Sequence, residues 1–193
     1  MKSYPSISKI IRQDLHCFCF SKIDGSNIRA EWNNKKGFYK FGTRTQLIDI
    51  NSQPFGKSID SIKNKFEGDL SRIFNKLNYK SAVAFFEYFG PSSQFGSHNF
   101  EENMDIKLID INPLNIGLLP PEKYMEDFGH LDIASLVYEG CLTDKIIDDI
   151  KSSAMPNMAF EGVVVKATER GKQIMFKIKT NAWLNKLKEH CNG

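Results

Sequence analysis

Residues 21–27 have the sequence Ser21-Lys22-Ile23-Asp24-Gly25-Ser26-Asn27 and join two apolar stretches. The residues before them, 17–20, are all apolar and predict a buried strand, while residues 28–32 alternate apolar and polar side chains and predict a second strand. Gly-Ser-Asn is typical of a turn. The pattern therefore predicts a hairpin with Lys22 at its inner end, beside a glycine that lets another group approach the backbone closely. These residues alone make Lys22 either a surface charge at a turn or a nucleophile in a pocket.

The chain as a whole has the composition of an ordinary globular protein. Its 193 residues, 41% of them apolar and 25% charged, suffice for one domain with a sizeable core. The net charge of +3 is mild, so any nucleic-acid contact requires a local basic site. Neither the cysteines nor the histidines show C-x-x-C or H-x-x-x-H spacing, which argues against structural zinc. Without an apolar run of membrane length or a signal peptide, a reducing, cytoplasmic setting is the simplest expectation.

Hydrophobic periodicity predicts the remaining elements. Residues 1–15 predict a short capped helix, and an apolar stripe over residues 58–78 predicts a longer one. Further helices are predicted at 121–128, 144–152 and 181–190. Further strands are predicted at 38–46, 82–90, 106–112, 134–138, 160–167 and 173–179. The pattern predicts a single α+β domain over residues 1–193, with antiparallel sheets flanked by helices.

Charged residues lie on several strands whose neighbours are apolar. Alternation along a strand places Glu161 on one face with Val163, and Lys177 on one face with Lys179. Glu87 interrupts the apolar strand at 82–90. An unpaired buried charge costs several kcal/mol, so such groups must pair with each other or with a ligand. For any one residue, a mixed-charge exposed sheet face is the simpler interpretation.

Taken in order, these stretches resemble the motifs of the covalent nucleotidyltransferases, the superfamily of ATP-dependent ligases and RNA capping enzymes. Residues 22–27 match the K-x-D/H-G-x-N form of the first motif. The later motifs of the superfamily have similar counterparts here in Thr43-Arg44-Thr45 and in residues 86–90, 106–111, 161–166 and 176–179. At Asn27 the DNA ligases and capping enzymes usually carry arginine, so the resemblance is to RNA ligases, particularly the RNA ligase 2 family. The resemblance spans residues 4–184.

This resemblance implies a nucleotidyltransferase fold, similar to ATP-grasp ligases, without an OB-fold domain. It implies an ATP-dependent RNA ligase in which Lys22 takes AMP from ATP as lysyl-AMP, passes it to a 5′-phosphate end, and lets a 3′-hydroxyl displace it. The implied partners are ATP, Mg²⁺ or Mn²⁺, and RNA ends in a nicked duplex or an RNA/DNA hybrid. A separate protein that grips the substrate is compatible with this interpretation, as is a phage or viral source, whereas a membrane partner is not expected.

The resemblance assigns catalytic roles to three lysines, Lys22, Lys177 and Lys179. Lys22 must be neutral to attack phosphorus, and nearby cations disfavour its ammonium form. Lys177 and Lys179 would also stabilise the charge that develops on the phosphate. Glu161 is the expected metal ligand, since Mg²⁺ prefers carboxylate and phosphate oxygens.

The resemblance also assigns residues to nucleotide binding. Glu87 would accept hydrogen bonds from the ribose hydroxyls, and Asn27 and Arg44 would hold phosphate or sugar oxygens. Val163 would form an apolar floor for the base. Arg29 lies two residues after Asn27, and its position in the sequence allows its side chain to face either the nucleotide or solvent.

Two alternatives stay open at this level. The first is a minimal DNA ligase catalytic domain, against which Asn27 argues. The second is a nucleotide- or RNA-end-binding module without sealing activity, which would not need a nucleophilic lysine.

The strand at 106–111 also lacks the aromatic residue on which the family stacks its base.

Overall fold

Two antiparallel sheets carry most of the described chain, which is residues 1–192 of a computed structural model. In chain order the strands are β1 (His16–Ser21), β2 (Ser26–Asn33), β3 (Gly37–Thr43), β4 (Leu47–Ile48), β5 (Ser81–Phe89), β6 (Asp105–Pro113), β7 (Leu136–Cys141), β8 (Gly162–Glu169) and β9 (Lys172–Lys179). The helices are α1 (Lys57–Ile62), α2 (Gly68–Lys76), α3 (Pro121–Phe128), α4 (Asp144–Lys151) and α5 (Asn181–Asn192). The predicted α+β class with antiparallel sheets is confirmed.

The chain divides by its contacts into two compact units. The first contains Met1–Pro5, Asp24–Leu119 and Tyr124–Ile133, and the second contains Ser6–Ile23, Pro120–Lys123 and the chain from Ala134 onward. Each unit is built on one sheet, with strand order β4-β3-β2-β5-β6 in the first and β7-β1-β8-β9 in the second. A single nucleotidyltransferase domain over residues 1–193 stays a prediction. No helix within residues 1–192 is long and apolar enough to cross a membrane.

The predicted hairpin around Lys22 is wrong, because β1 and β2 belong to different sheets. β1 pairs with β7 and β8, while β2 pairs with β3 and β5. The turn residues make other contacts instead. The carboxylate of Asp24 accepts the backbone N–H of Phe95 at 2.6 Å. A Cβ added at Gly25 would lie 2.7 Å from the carbonyl oxygen of Tyr88, so the close backbone approach expected at this glycine is confirmed.

The helix predicted within residues 1–15 is absent from the structure. Residues 1–5 belong to the first unit, where the hydroxyl of buried Tyr4 donates to Asp110 at 2.7 Å. Ser8 in the second unit forms a parallel bridge with Phe176. A short isolated helix is marginal in water, so these long-range contacts determine the conformation of the segment instead.

The helix predicted over residues 58–78 is confirmed, with an added π-helical turn. α1 and α2 are continuous through that turn, Lys63–Glu67. Its lysine, Lys65, forms ion pairs with Asp105 and Asp132, and Lys107 also pairs with Asp132. Burial raises the pKa of Asp132, but hydrogen bonds from Lys107 and Lys65 outweigh burial and leave the pKa below its ordinary value. The network joins the π-helical turn to β6 and to the segment after α3.

The core of the second unit lies on one face of its sheet. The fully or almost fully buried side chains of this core include Cys17, Cys19, Ile147, Ile150, Val163, Val165, Phe176 and Ile178. In the β8–β9 pair, Val163 is opposite Ile178, whereas Val164 is opposite Lys177 and Lys166 is opposite Met175. Because directly paired residues share a face, Lys166 and Lys177 lie on the face opposite the core.

Candidate active site

The centre of the candidate site in the second unit is a carboxylate shared by two lysines. Lys22 Nζ donates to Glu161 Oε2 at 2.8 Å, and Lys179 Nζ lies 2.9 Å from Glu161 Oε1. The Glu161 side chain is 5% exposed, whereas those of Lys22 and Lys179 are 20% and 22% exposed. The acid is therefore held inside while both ammonium groups stay within reach of solvent. The structure thus brings together three of the residues that the sequence predicts.

The backbone around Gly162 positions Glu161. Gly162 has φ of +125°, and a Cβ there would lie 2.2 Å from the carbonyl oxygen of Ile178, so only glycine fits. The backbone N–H of Lys22 donates to the carbonyl of Gly162 at 2.9 Å, which holds the end of β1 against the start of β8. Glu161 precedes the strand and does not follow its alternation. The expectation that Glu161 and Val163 share a face is therefore wrong.

Val163 is also unsuited to its predicted role as a floor for the base. Its side chain is fully buried in the core, opposite Ile178. A base could reach Val163 only by displacing other core side chains. The apolar residue of β8 on the lysine face is Val164, which pairs with Lys177 and is partly exposed.

Lys177 adds a third cation to the cluster. Burial lowers the pKa of Lys177, and the charges of Lys22, Lys179 and Lys9 lower it further, while Glu161 opposes them. The backbone N–H of Lys177 donates to the carbonyl of Ser8 at 3.0 Å, which brings residues 8–9 beside β9. The cluster is therefore strongly electropositive for its size.

Sequence alternation missed two lysines near this cluster. Lys166 is 2% exposed and shares the face of Lys177, with its Nζ 4.9 Å from the ring centroid of Phe20. Alternation from Glu161 assigns Lys166 to the opposite face, because it assumes a regular strand through Gly162. Lys9 lies in the segment predicted to be helical. No short-range signal in the sequence places it beside Lys177.

Asn27 and Glu87 lie side by side in the sheet of the first unit. They are directly paired between β2 and β5, and Glu87 is opposite Lys107 on its other side. Asn27 Nδ2 donates to the carbonyl of Phe86 at 3.3 Å. The buried Oδ1 of Asn27 has no hydrogen-bond partner among residues 1–192. An unpaired buried acceptor is costly, so this amide is suited to a ligand that donates hydrogen bonds.

Arg29, which the sequence leaves facing either a nucleotide or solvent, contacts the first residues of the chain. Its side chain is 6% exposed, and Nη1 donates to Ser3 Oγ at 2.6 Å and to the carbonyl of Met1 at 3.2 Å. Arg29 thus holds the first residues of the chain onto the sheet. Arg44 is an exposed residue of the loop between β3 and β4, and its carbonyl lies 3.4 Å from Ser3 Oγ.

His98 lies in the loop after β5 and attaches that loop to β2. One ring nitrogen lies 3.0 Å from Ser26 Oγ at the start of β2, and the other lies 2.8 Å from Ser93 Oγ. The backbone N–H of Gly90 donates to the same Ser93 hydroxyl. His98 therefore connects the residues after β5 to the start of β2, a contact between positions too distant in sequence for a local pattern to predict.

The residues at the lysine cluster are suited to a metal ion only if phosphate oxygens also bind that ion. Within the described residues, no three His, Cys, Asp or Glu side chains are grouped closely enough to hold an ion. Glu161 is the carboxylate at hand, and both of its oxygens already accept from lysines. Mg²⁺ often takes one or two carboxylates and completes its shell with water and substrate phosphates. A metal that enters with ATP is compatible with this donor set.

The whole fold is similar to that of a solved RNA ligase from Naegleria gruberi. The structure of that ligase with PPi aligns at a TM-score of 0.63 and 20% identity, covering 96% of this chain and 60% of that one. A variant of it with ATP and Mn aligns at 0.64 and 20% identity, and another with AMP and Mn at 0.61 and 20%, both with the same coverage. This chain has the fold of these ligases.

The likeness is one of fold, at low sequence identity. The chain spans 60% of the length of the ligase structures that it matches. No protein-family model matches the sequence, and no curated protein matches it. The chemistry at Lys22 must therefore be argued from the site.

Proposed function

We propose that the protein is an ATP-dependent RNA ligase that forms a lysyl-AMP intermediate at Lys22. The observation that carries the proposal is the carboxylate of Glu161, which accepts from both Lys22 and Lys179 beside the electropositive Lys177. An ion-paired buried carboxylate is often no more stabilising than apolar side chains of similar volume, so the presence of Glu161 between two lysines favours a functional role. The fold shared with solved RNA ligases supports the same assignment.

In the first step the neutral amine of Lys22 attacks the α-phosphorus of ATP. An N–P bond forms, the bond from phosphorus to the bridging oxygen breaks, pyrophosphate leaves with that electron pair, and one proton passes from the nitrogen to solvent. Lys177 and Lys179 would stabilise the charge on the transferring phosphoryl group. Opposite charge favours the ammonium form of a lysine, so the Lys22–Glu161 pair must separate before attack. A cation that arrives with ATP would compete for the Glu161 carboxylate and disfavour the ammonium form of Lys22.

Two further transfers complete the proposed reaction. An oxygen of a 5′-phosphate attacks the phosphorus of lysyl-AMP, which breaks the N–P bond and returns the amine of Lys22. A 3′-hydroxyl then attacks the phosphorus of the 5′-phosphate and forms the phosphodiester bond; the phosphoanhydride P–O bond breaks, AMP leaves with that electron pair, and the hydroxyl proton goes to solvent. The proposal keeps Asn27, Glu87 and Arg44 as nucleotide contacts and Glu161 as a metal ligand. It excludes Val163 and Arg29, whose side chains are buried in other contacts.

Intact mass after incubation with ATP and Mg²⁺ or Mn²⁺ tests the first step. We expect a gain of one AMP in the native sequence and none in Lys22→Ala, and peptide mapping should place the AMP on Lys22. Lys145→Ala is the matched control, since Lys145 is a highly exposed lysine paired with Asp149 on α4. A gain of GMP from GTP would indicate a capping-type enzyme. No gain with either nucleotide, in protein shown to carry no AMP beforehand, would indicate the nucleotide- or RNA-end-binding module.

A sealing assay tests the substrate. We expect 5′-phosphorylated RNA ends to be joined in preference to DNA ends of the same sequence, in a nicked duplex or an RNA/DNA hybrid. Preferential sealing of DNA nicks would contradict the RNA assignment while leaving lysyl-AMP formation in place.

A further inference from the structure

The candidate site is adjacent to an exposed aromatic ring, Phe160. Its side chain is 46% exposed, although the residue directly precedes Glu161 in the chain. Consecutive Cα atoms lie about 3.8 Å apart, so the ring begins one residue from the carboxylate that holds Lys22. Leaving a large aromatic exposed forgoes the stabilisation that its burial would give. The ring is therefore available to a ligand at the edge of the lysine cluster.

The backbone of Phe160 is held in place by Thr180, the residue before α5. Thr180 is fully buried, and its Oγ1 donates to the carbonyl of Phe160 at 2.8 Å and accepts the backbone N–H of Trp183 at 3.0 Å. The backbone N–H of Thr180 donates to the carbonyl of Glu161 at 3.2 Å. The exposed ring thus stands on a fixed support, which lowers the entropy cost of binding a flat ligand.

Two lysines, one on α5 and one at the end of β9, lie over aromatic rings. Lys186 Nζ lies 5.5 Å from the ring centroid of Phe160, and Lys179 Nζ lies 3.3 Å from that of Trp183. Lys188 is exposed one residue beyond Leu187 on the same helix. Phe160 is the exposed ring of the two, since Trp183 is 5% exposed, and an exposed aromatic ring beside a cation is suited to holding a base of single-stranded nucleic acid.

We propose that Phe160 and Lys186 form a stacking platform for the terminal base of the nucleic-acid end that is presented to Lys22. The inference rests on the proposed function and adds a site for its RNA substrate. Lys186 adds a positive charge beside the ring, which suits a polyanionic strand. ATP offers a nucleobase of the same chemistry, so the test must separate the two sources.

The test measures the affinity of a 5′-phosphorylated, fluorescein-labelled ten-nucleotide RNA by anisotropy, without ATP. We expect Phe160→Ala to weaken binding about 5- to 150-fold, the range that loss of one base–aromatic stack covers. Phe160→Trp should restore affinity, whereas Phe160→Leu, which keeps apolar area without a π face, should not. Lys186→Ala should reduce the slope of log affinity against log salt by about 0.7 if it contacts one phosphate.

The matched control is a lysine–aromatic pair of the same geometry in the first unit. Lys36 Nζ lies 5.5 Å from the ring centroid of Tyr39, which is 41% exposed. Tyr39→Ala should leave RNA affinity unchanged. An equal loss in Tyr39→Ala and Phe160→Ala would overturn the proposal, because the effect would then belong to any exposed aromatic.

An abasic 5′-terminal nucleotide isolates the stacked base. The native protein should bind this RNA as weakly as Phe160→Ala binds the intact RNA, and the variant should not distinguish the two RNAs. If removal of the base and Phe160→Ala each lowered the affinity independently, so that their effects added, stacking of Phe160 on that base would be refuted. Unchanged RNA affinity with a raised ATP requirement for lysyl-AMP formation would assign the ring to adenine instead. Lack of AMP transfer to Lys22 in the native protein would refute the proposed function, and the RNA measurements would still decide the platform by themselves.

Discussion

Replacement of Glu161 by glutamine is the most direct test of the shared carboxylate. Glutamine has nearly the same shape, but it keeps one oxygen acceptor and turns an NH₂ group toward the other lysine. The change therefore removes one charge-assisted hydrogen bond. It also leaves the ammonium group of that lysine opposite the NH₂ group of glutamine, another donor. If Glu161 binds Lys22 and Lys179 as the distances indicate, both effects lower the free energy of unfolding.

The magnitude follows from the burial of the acid and the partial exposure of its partners. A hydrogen bond to a charged group contributes about 1.5–3 kcal/mol, and loss of one partner of a fully buried ion pair costs about 3–5 kcal/mol. Lys22 and Lys179 are about one-fifth exposed and can regain water, which reduces the loss. We expect a destabilisation of about 2 kcal/mol. For a chain of this length that is a fall of about 4–8 °C in Tm.

Thermal unfolding at neutral pH provides the assay, with Glu169→Gln as the matched control. Glu169 is also a glutamate of the second unit in an ion pair, but its side chain and that of Arg12 are both 47% exposed. The control should unfold close to the native temperature. The difference between the two variants should persist at high salt, since buried pairs are screened less than surface pairs. Equal midpoints for both variants would refute the shared-carboxylate reasoning.

Three further predictions concern the backbone, the surface ion network and the nucleotide. Gly162→Ala should lower stability by about 3 kcal/mol or more in denaturant unfolding, since its φ of +125° and the nearby carbonyl exclude a side chain; a smaller effect would contradict that geometry. Two lysine hydrogen bonds outweigh burial and hold the pKa of Asp132 below its ordinary value, so the stability they give is present above about pH 4 and lost below it. Asp132→Asn should therefore be less stable by about 1 kcal/mol at neutral pH and converge with the native protein in acid, whereas parallel stability–pH curves would exclude the ion pairs. Glu87→Ala should raise the ATP concentration for half-maximal lysyl-AMP formation about tenfold, and an unchanged titration would remove Glu87 from the nucleotide contacts.

The sequence predicts the position of most elements because each carries a local signal. The apolar run that becomes β5 and the stripe along α1 and α2 are visible within windows of 9–20 residues. The π-helical turn within the long helix has no such signal. The predicted hairpin fails because period-2 alternation identifies a strand without identifying its partner. β1 and β2 are adjacent in sequence, yet β1 pairs with the distant strands β7 and β8, whereas β2 pairs with β3 and the distant β5.

The site was predictable in composition and less so in geometry. Motif order selects Lys22, Glu161, Lys177 and Lys179, and the structure places Lys22 and Lys179 on the same carboxylate. Faces assigned by alternation fail next to Gly162, because a positive φ breaks the regular strand. The side chain of Arg29 could not be assigned from sequence, since its partners lie at the start of the chain, in a segment with no recognisable pattern.

The charge balance of the cluster indicates what kind of ligand completes it. Glu161 can neutralise one of the ammonium groups around it, and its two oxygens are already shared between Lys22 and Lys179. Lys177 therefore remains near other cations without a carboxylate of its own in the cluster, and burial and those cations account for the lowered pKa of Lys177. A phosphate group would relieve this repulsion without a change in the fold. Under the proposed function, Lys177 and Lys179 would act more strongly on a transferring phosphoryl group than on a neutral substrate, because their charges are already in place.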